Sequence, residues 1–119
     1  MVYEKMQKAF KQLEKELGST VFLACHISHT YHDGASLYFT WATPESISRD
    51  SLQTYDLIKD TTERVFVECG STLSHHHATG YEHKKWMTKE VGEVGLLALK
   101  ALKASLDPQD IMNNDKLIP

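Results

Sequence analysis

The chain has 119 residues, of which 41% are hydrophobic, and this is enough for one domain with a real core. A formal net charge of −3 and the lack of a Lys/Arg cluster argue against a protein that binds nucleic acid or a membrane surface. Apolar runs such as residues 21–25 are far too short to span a bilayer.

The start of the chain and its cysteines bear on where the protein works. Because the first residues already belong to a charged amphipathic segment, we expect no signal peptide. Cys25 and Cys69 are isolated and lack CxxC spacing, so we interpret them as reduced thiols. Together these features predict a cytoplasmic protein.

The first predicted element is a helix over residues 2–17. Its apolar positions recur at steps of three and four, and Gly18 is typical of the residue that follows a helix. These positions are Val2, Met6, Phe10, Leu13 and Leu17. Lysines and glutamates occupy the other face, so the pattern predicts a helix with one buried side.

Two segments of alternating apolar and polar residues follow, at about 20–28 and 35–42. Such alternation is typical of strands with one buried face. Asp33-Gly34 lies in the short polar stretch between them and is a strong turn signal. The sequence therefore predicts an antiparallel hairpin.

The two sides of this hairpin differ in polarity. Leu37 and Phe39 form the apolar side of the second segment, whereas Tyr38 lies on the opposite side. In the first segment, His26 and Ser28 lie on the less apolar side. If the polar sides of both segments coincide, the Tyr38 phenol and the His26 imidazole line one pocket.

A long helix is predicted after the hairpin. Thr43-Pro44-Glu45 is typical of a helix start, and Gly70 is typical of a position just past a helix end near Cys69. The expected buried stripe is Ile47, Ser51, Tyr55, Ile58, Thr62, Val65 and Cys69.

Two further helices are predicted near the end of the chain. A short one covers residues 82–87, and Thr88 is expected to cap a last helix that stops at Asp107-Pro108. The apolar positions of the last helix are Val91, Val94, Leu97, Ala98, Leu102 and Leu106.

This order of elements indicates an α+β fold, in which helices are packed on one face of an antiparallel sheet. Two strands alone are marginally stable in water. We therefore expect that the chain contains more strand, that it pairs with itself, or that it belongs to a larger sheet.

Three consecutive histidines lie between two predicted helices. This histidine run, His75, His76 and His77, is preceded by Ser74 and followed by Gly80. Imidazole changes charge near neutral pH and also binds metals, and packing alone does not require three in a row. We interpret the run as one wall of an active site, in which one imidazole serves a substrate hydroxyl as base or donor.

A metal site and a solvated polar loop are the alternatives for the histidine run. On an extended segment His75 and His77 point to the same side, so they could share an ion. A further ligand could come from His26, His29, His32 or Asp33. Catalytic zinc needs about three protein ligands, and the spacing of these histidines matches no motif. We therefore assign no metal.

Tyr38 is the second candidate residue, because it lies mid-strand on the side shared with Ser36 and Thr40. The alternative is a strand tyrosine that packs and hydrogen-bonds its hydroxyl without further function.

Several segments, in their order and spacing, resemble the C-terminal end of FAD-linked oxidases of the vanillyl-alcohol-oxidase superfamily. The branch they are most similar to is that of alkyldihydroxyacetonephosphate synthase and its bacterial relatives. The segments are 31–40 (YHDGASLYFT), 70–77 (GSTLSHHH), 85–87 (KWM), 90–95 (EVGEVG), 106–108 (LDP), 111–113 (IMN) and 116–118 (KLI). The resemblance covers roughly residues 20–119.

The resemblance implies roles for four residues. Tyr38 matches an active-site tyrosine that acts on the substrate next to the flavin. His75, His76 and His77 match a histidine run that lines the same site, and we assign His76 and His77 to cofactor binding as well. Ala78 stands where family members often have glycine, so a slightly different loop path is expected. Residues 113–115 (NND) replace a common proline-glycine turn.

The resemblance also implies an architecture. Residues 1–119 would form the second half of a ferredoxin-like cap domain that covers the reactive face of FAD. The resemblance implies that the cofactor itself is bound mainly by a separate N-terminal domain with a glycine-rich phosphate loop. The six glycines of this chain form no GxGxxG-like cluster. The chain would then be a fragment or the product of a truncated gene.

The implied function is that of a substrate domain in a flavoenzyme. The enzyme would be an FAD-dependent oxidoreductase of a small hydroxy compound, or an alkylglycerone-phosphate synthase-like enzyme with a dihydroxyacetone-phosphate-type substrate. Tyr38 and a histidine would hold and deprotonate the substrate hydroxyl, or move protons in the synthase. Alone, the chain would be inactive and would self-associate through its exposed strand edge. The alternatives are a small His-based metal-binding module and a non-catalytic interaction domain with the family fold.

Overall fold

The computed structural model describes residues 1–44 and 50–119, which form two units, Met1–Cys69 and Gly70–Pro119. The elements of the first unit are α1 (Val2–Leu17), β1 (Phe22–Thr30), β2 (Ala35–Ala42) and α2 (Ser51–Glu68). The second unit contains a 3-10 helix (Tyr81–Trp86) and α3 (Met87–Leu106). The predicted α+β class is confirmed.

Helix α1 has the predicted bounds and supplies much of the core of the first unit. Met6, Phe10 and Leu13 are buried, as their spacing requires. Each such side chain contributes about 1.5–3 kcal/mol when fully buried. Gly18 ends the helix at φ 63, a left-handed conformation that glycine adopts at little cost. The Glu14 carboxylate then accepts the Val21 N–H at 2.9 Å, which connects the helix to the first strand.

Strands β1 and β2 form a two-stranded antiparallel sheet. The prediction for β2 is confirmed, but β1 begins two residues later than predicted and continues to Thr30. The register shifts at a β-bulge between Ile27 and His29, where Ser28 is the extra residue. Beyond the bulge, β1 pairs with β2 as far as Thr30. The Tyr31 N–H donates to the Gly34 carbonyl at 2.8 Å and closes the turn.

One face of this sheet packs against the helices. Leu23, Phe39 and Trp41 lie on this face, and all three are half-buried against the core cluster. The Phe39 ring lies 5.8 Å from that of Phe66 in α2. The polar side of the hairpin, which carries Tyr38, is therefore directed away from this core.

Helix α2 begins later than predicted. Its described start is Ser51, and the Asp50 carboxylate accepts the Leu52 N–H at 3.3 Å as an N-cap. Thr43 and Pro44 are not helical, while Glu45 and Ile47 lie outside the described residues. The helix ends at Glu68, one residue from the predicted end.

The stripe predicted for α2 is only partly correct. Ile58, Thr62 and Val65 are buried, but Ser51 and Tyr55 are exposed. Three other polar side chains are buried as well: Thr54, Thr61 and Glu63. The Thr62 hydroxyl donates to the Ile58 carbonyl at 2.8 Å, so this buried polar group has a hydrogen-bond partner.

The helices of the second unit differ from the predictions in detail. A 3-10 helix, Tyr81–Trp86, replaces the predicted helix at 82–87, and α3 begins at Met87, before Thr88. Gly92 has φ 72 and ψ 171 inside α3, so the last helix is broken where the apolar pattern predicts continuity. No helix in the described ranges is long and apolar enough to cross a membrane.

The apolar positions predicted for the last helix are not its buried positions. Leu96 is buried, whereas Val94 is 81% exposed and Leu97 is 67% exposed. Val91, Ala98, Leu102 and Leu106 are exposed too. Periodicity identified a real apolar face, but it could not show that the described residues leave this face uncovered.

The end of α3 is held to the tail by Asp107. Its buried carboxylate accepts the N–H of Ile111 at 3.1 Å and of Met112 at 2.9 Å, and it pairs with the Lys103 ammonium. The Lys103 ammonium and the Met112 N–H hold the pKa of Asp107 below its usual range. Asp107 therefore both stops the helix, as predicted, and fixes the chain beyond it.

Candidate functional site

Tyr38 lies on β2 directly opposite His26 on β1. The two rings are stacked, with centroids 5.0 Å apart and planes inclined by 19°. Tyr38 is half-buried and His26 is exposed. The two polar sides of the hairpin, whose coincidence the sequence left open, do coincide, because cross-strand partners project from the same face.

The β-bulge adds further polar groups to this face. The Ser28 hydroxyl lies 3.0 Å from the Ser36 hydroxyl, and the His29 Nδ1 lies 3.2 Å from the Ser28 hydroxyl. His29 pairs with Ser36, which lies on the Tyr38 side of β2. Two imidazoles, two hydroxyls and one phenol thus share one sheet face, which we call the polar sheet face.

The polar sheet face offers donors and acceptors for a polar ligand. A phenol and two serine hydroxyls can each donate and accept, and neutral imidazole does both through its two nitrogens. The face can therefore hold a hydroxyl or an oxyanion and exchange a proton with it. Sequence reasoning placed Tyr38, His26, Ser28 and Ser36 on the less apolar sides of the hairpin. It assigned His29 to the turn and considered it only as a possible metal ligand.

The histidine run follows a segment that is tied to α3. The Glu90 carboxylate accepts the Thr72 hydroxyl at 2.5 Å and the Leu73 N–H at 3.3 Å. Leu73 is buried, so this segment has a fixed position next to the first turn of α3. Sequence reasoning missed this role of Glu90, because no local sequence pattern indicates a contact with Thr72, eighteen residues earlier.

The three imidazoles contact one another in sequence. The Nδ1 atoms of His75 and His76 are 3.0 Å apart, and the His76 and His77 rings meet edge to face with centroids 4.3 Å apart. The Ser74 hydroxyl accepts the His77 N–H at 3.2 Å. All three side chains are exposed.

The residue after the run adopts an unusual backbone conformation. Ala78 has φ 65, in the left-handed region that glycine occupies with little strain. Because alanine has a Cβ and glycine does not, this conformation costs Ala78 more than it would cost a glycine. The loop beyond it ends at Gly80, whose N–H donates to the Nδ1 of buried His83 at 3.2 Å.

His83 is a structural histidine that sequence reasoning did not identify. Because its Nδ1 accepts a backbone hydrogen bond, the side chain acts as a cap for the 3-10 helix. The sequence contained a signal for this role, because the side chain at the third position of a helix often accepts the N–H of the N-cap residue. Tyr38 belongs to the first unit and the histidine run to the second.

An α+β chain with a polar sheet face and an accessible histidine run can be compared with known families. Residues 2–117 match the family described as FAD linked oxidases, C-terminal domain. The chain belongs to this family, as its motifs indicate.

Its relatives narrow this assignment. The chain is 36% identical over 118 residues to alkyldihydroxyacetonephosphate synthase from Dictyostelium discoideum, a match that covers 99% of this chain and 19% of that protein. It is 35% identical over 117 residues to the protein of the same name from Trypanosoma brucei brucei, covering 98% and 19%. It is 28% identical over 106 residues to the mitochondrial D-lactate dehydrogenase [cytochrome] of Arabidopsis thaliana, covering 89% and 18%. The chain thus spans about a fifth of the length of these curated relatives.

Proposed function

We propose that this chain supplies Tyr38 and the histidine run to the flavin active site of a larger FAD-dependent enzyme. The observation that carries the proposal is the match of residues 2–117 to the C-terminal domain of FAD linked oxidases. Relatives at 36% and 33% identity are named alkyldihydroxyacetonephosphate synthase, whereas the D-lactate dehydrogenases match at 28% and 20%. These identities favour synthase-like chemistry on a dihydroxyacetone-phosphate-type substrate over oxidation of a small hydroxy compound.

Tyr38 is the proposed proton-exchanging group. Its position on a strand fixes the backbone, and its phenol can both donate to and accept from a substrate oxygen. Partial burial lowers the competition from water for that hydrogen bond. The nearby hydroxyls of Ser28 and Ser36 offer further contacts to a polar substrate.

The histidine run is proposed to contact both substrate and cofactor. His75 faces the substrate in this proposal, and His76 and His77 hydrogen-bond to the flavin. The edge-to-face packing of His76 on His77 directs their nitrogens differently, which fits a group with several acceptors along one edge. When bound, FAD supplies the redox-active ring, and this chain contributes position and protons.

A separate domain is proposed to hold most of the cofactor. A dinucleotide pyrophosphate is usually bound at a glycine-rich turn before a helix, and the six glycines here form no such cluster. The chain alone should therefore be inactive. Titration of the 119-residue chain with FAD, followed by flavin fluorescence, should show no saturable binding. Binding in the micromolar range would contradict this part of the proposal.

A chimera tests the catalytic role of Tyr38. In it, this chain replaces the matching segment of the Dictyostelium relative, which it covers over 118 residues. Tyr38→Phe should lower turnover by about 10²–10⁴-fold, because it removes the hydroxyl that exchanges the proton. Tyr3→Phe is the matched control, since it removes a hydroxyl from an exposed tyrosine of α1. Equal turnover of both variants would end the catalytic role of Tyr38.

A transition-metal site in the histidine run is the second candidate. The 3.0 Å separation of the His75 and His76 Nδ1 atoms supports it, because metal–nitrogen bonds of about 2.0–2.1 Å would then enclose an angle of about 95°. That angle fits neighbouring ligands of a square-planar or octahedral ion better than a tetrahedral one. Metal analysis of chelator-free protein decides: stoichiometric metal that is lost in His75→Ala supports this candidate, and metal-free protein excludes it.

A further inference from the structure

We propose that His26 is a positioning residue, which holds the Tyr38 ring in a fixed orientation by stacking on it. The inference rests on the proposed role of Tyr38 and adds a residue that acts through it. It is carried by geometry within the first unit, where both strands are described without gaps.

The sheet register makes His26 the direct cross-strand partner of Tyr38. The pairs on either side, Ile27 with Leu37 and Cys25 with Phe39, project from the opposite face, where Phe39 packs against the core. The backbone positions of the stacked pair are therefore held by strand pairing and, next to Tyr38, by the packing of Phe39. The register keeps the two backbone positions opposite each other, so the ring contact then depends only on the side-chain rotamers.

The stack constrains the one freedom that the backbone leaves to Tyr38. A tyrosine on a strand can populate more than one χ1 rotamer, and each rotamer directs the hydroxyl to a different place. Ring planes inclined by 19° with centroids 5.0 Å apart match the offset-stacked arrangement of aromatic pairs. Because His26 lies against one face of the phenol, the rotamer that makes this contact is favoured and the hydroxyl keeps one direction.

Nuclear magnetic resonance on the 119-residue chain measures this effect without any activity. His26→Ala should average the χ1 couplings of Tyr38 and shift its ring resonances, which the Tyr38→Phe variant assigns. His26→Phe should restore a single rotamer, because it keeps the stack without an imidazole. His32→Ala in the exposed turn is the control and should leave Tyr38 unchanged. A single Tyr38 rotamer in His26→Ala would overturn the proposal.

Turnover of the chimera separates this inference from the proposed function. His26→Ala should lower kcat by about twofold to tenfold with little change in KM, the range expected from the loss of one aromatic pair. His26→Phe should recover most of that loss. If Tyr38→Phe lowers turnover while His26→Ala stays fully active, the positioning role of His26 is overturned and the role of Tyr38 is not. Unimpaired Tyr38→Phe would overturn the function proposed for Tyr38, while the resonance data would still report whether the stack exists.

Discussion

The carboxylate of Glu90, in the first turn of α3, accepts the hydroxyl of Thr72 at 2.5 Å and thereby fixes the segment that leads into the histidine run. The same carboxylate accepts the Leu73 N–H. An acid in the first turn of a helix is also favoured by the helix dipole, so Glu90 serves the helix and the loop together.

Removal of this carboxylate should loosen the histidine run. Glu90→Ala should lower the free energy of unfolding by about 1.5–3 kcal/mol, the range for hydrogen bonds to a charged group. Chemical denaturation measures this change, and the amide resonances of His75–His77 should shift with it. Glu93→Ala, at an exposed position of the same helix, is the control and should change stability by less than about 0.5 kcal/mol. A similar loss of stability in Glu90→Ala and Glu93→Ala would show that the hydrogen bonds of Glu90 to Thr72 and Leu73 contribute nothing to stability.

Acid should release the tail from α3. The pKa of Asp107 is lowered in the folded state, first by Lys103 and then by the Met112 N–H. A lowered folded pKa means that the stabilisation is fully present above the ordinary aspartate pKa of about 4 and is lost as the pH falls toward the folded value. Urea midpoints measured from pH 5 downward should therefore fall, and Asp107→Asn should flatten this dependence.

Asp115 provides the comparison for this pH effect. Lys84 lowers its pKa as well, so Asp115 contributes to the same acidic range. However, Asp115 is exposed and holds no backbone N–H through its carboxylate in the described contacts, so Asp115→Asn should flatten the dependence less. An equal effect of the two substitutions would contradict the special role of Asp107.

Glycine at position 78 should stabilise the second unit. Ala78 has φ 65, which costs an L-residue about 1–2 kcal/mol, and the greater freedom of glycine in the unfolded chain offsets part of this. Ala78→Gly should therefore raise the free energy of unfolding by about 0.5–1 kcal/mol. Thermal melting would measure the change, and a lower melting temperature would refute the strain.

Gly92→Ala is the reciprocal substitution. Gly92 has φ 72 and ψ 171, and an added Cβ would meet no atom within 4 Å, so only backbone strain is changed. Stability should fall by about 1–3 kcal/mol.

The strand edges should cause self-association. In the described part of the chain β1 and β2 pair only with each other, so each has an outer edge with unpaired backbone groups. Sedimentation should show mass that rises with protein concentration. Phe22→Lys, which replaces a side chain of β1 that is 61% exposed, should weaken the association. Tyr3→Lys on α1 is the control; a concentration-independent monomer would contradict the prediction.

Local pattern was sufficient for α1, β2 and the polar side of each strand, because side-chain period and turn chemistry determine these features over a few residues, whereas the register that pairs Tyr38 with His26 required coordinates. It failed at the start of α2, where Asp50 rather than Thr43 is the cap. It also failed where a distant group decides, as in the path before the histidine run, which depends on Glu90. The break at Gly92 is not visible in the apolar pattern on either side of it. The histidine run was recognised by composition, but its contacts through Nδ1 required coordinates.

The bulge at Ser28 has a consequence for any comparison between hairpins of this family. One extra residue moves every later side chain of the strand to the opposite face of the sheet. His29 therefore lies on the face of Tyr38 and not on the face of Leu37. A relative shorter by that single residue would retain the strand and the turn, yet it would exchange the inward and outward positions of the tip. Alignment by residue type alone would then equate side chains that point in opposite directions. The count of residues between Ile27 and the turn is therefore itself a determinant of which groups reach the polar sheet face.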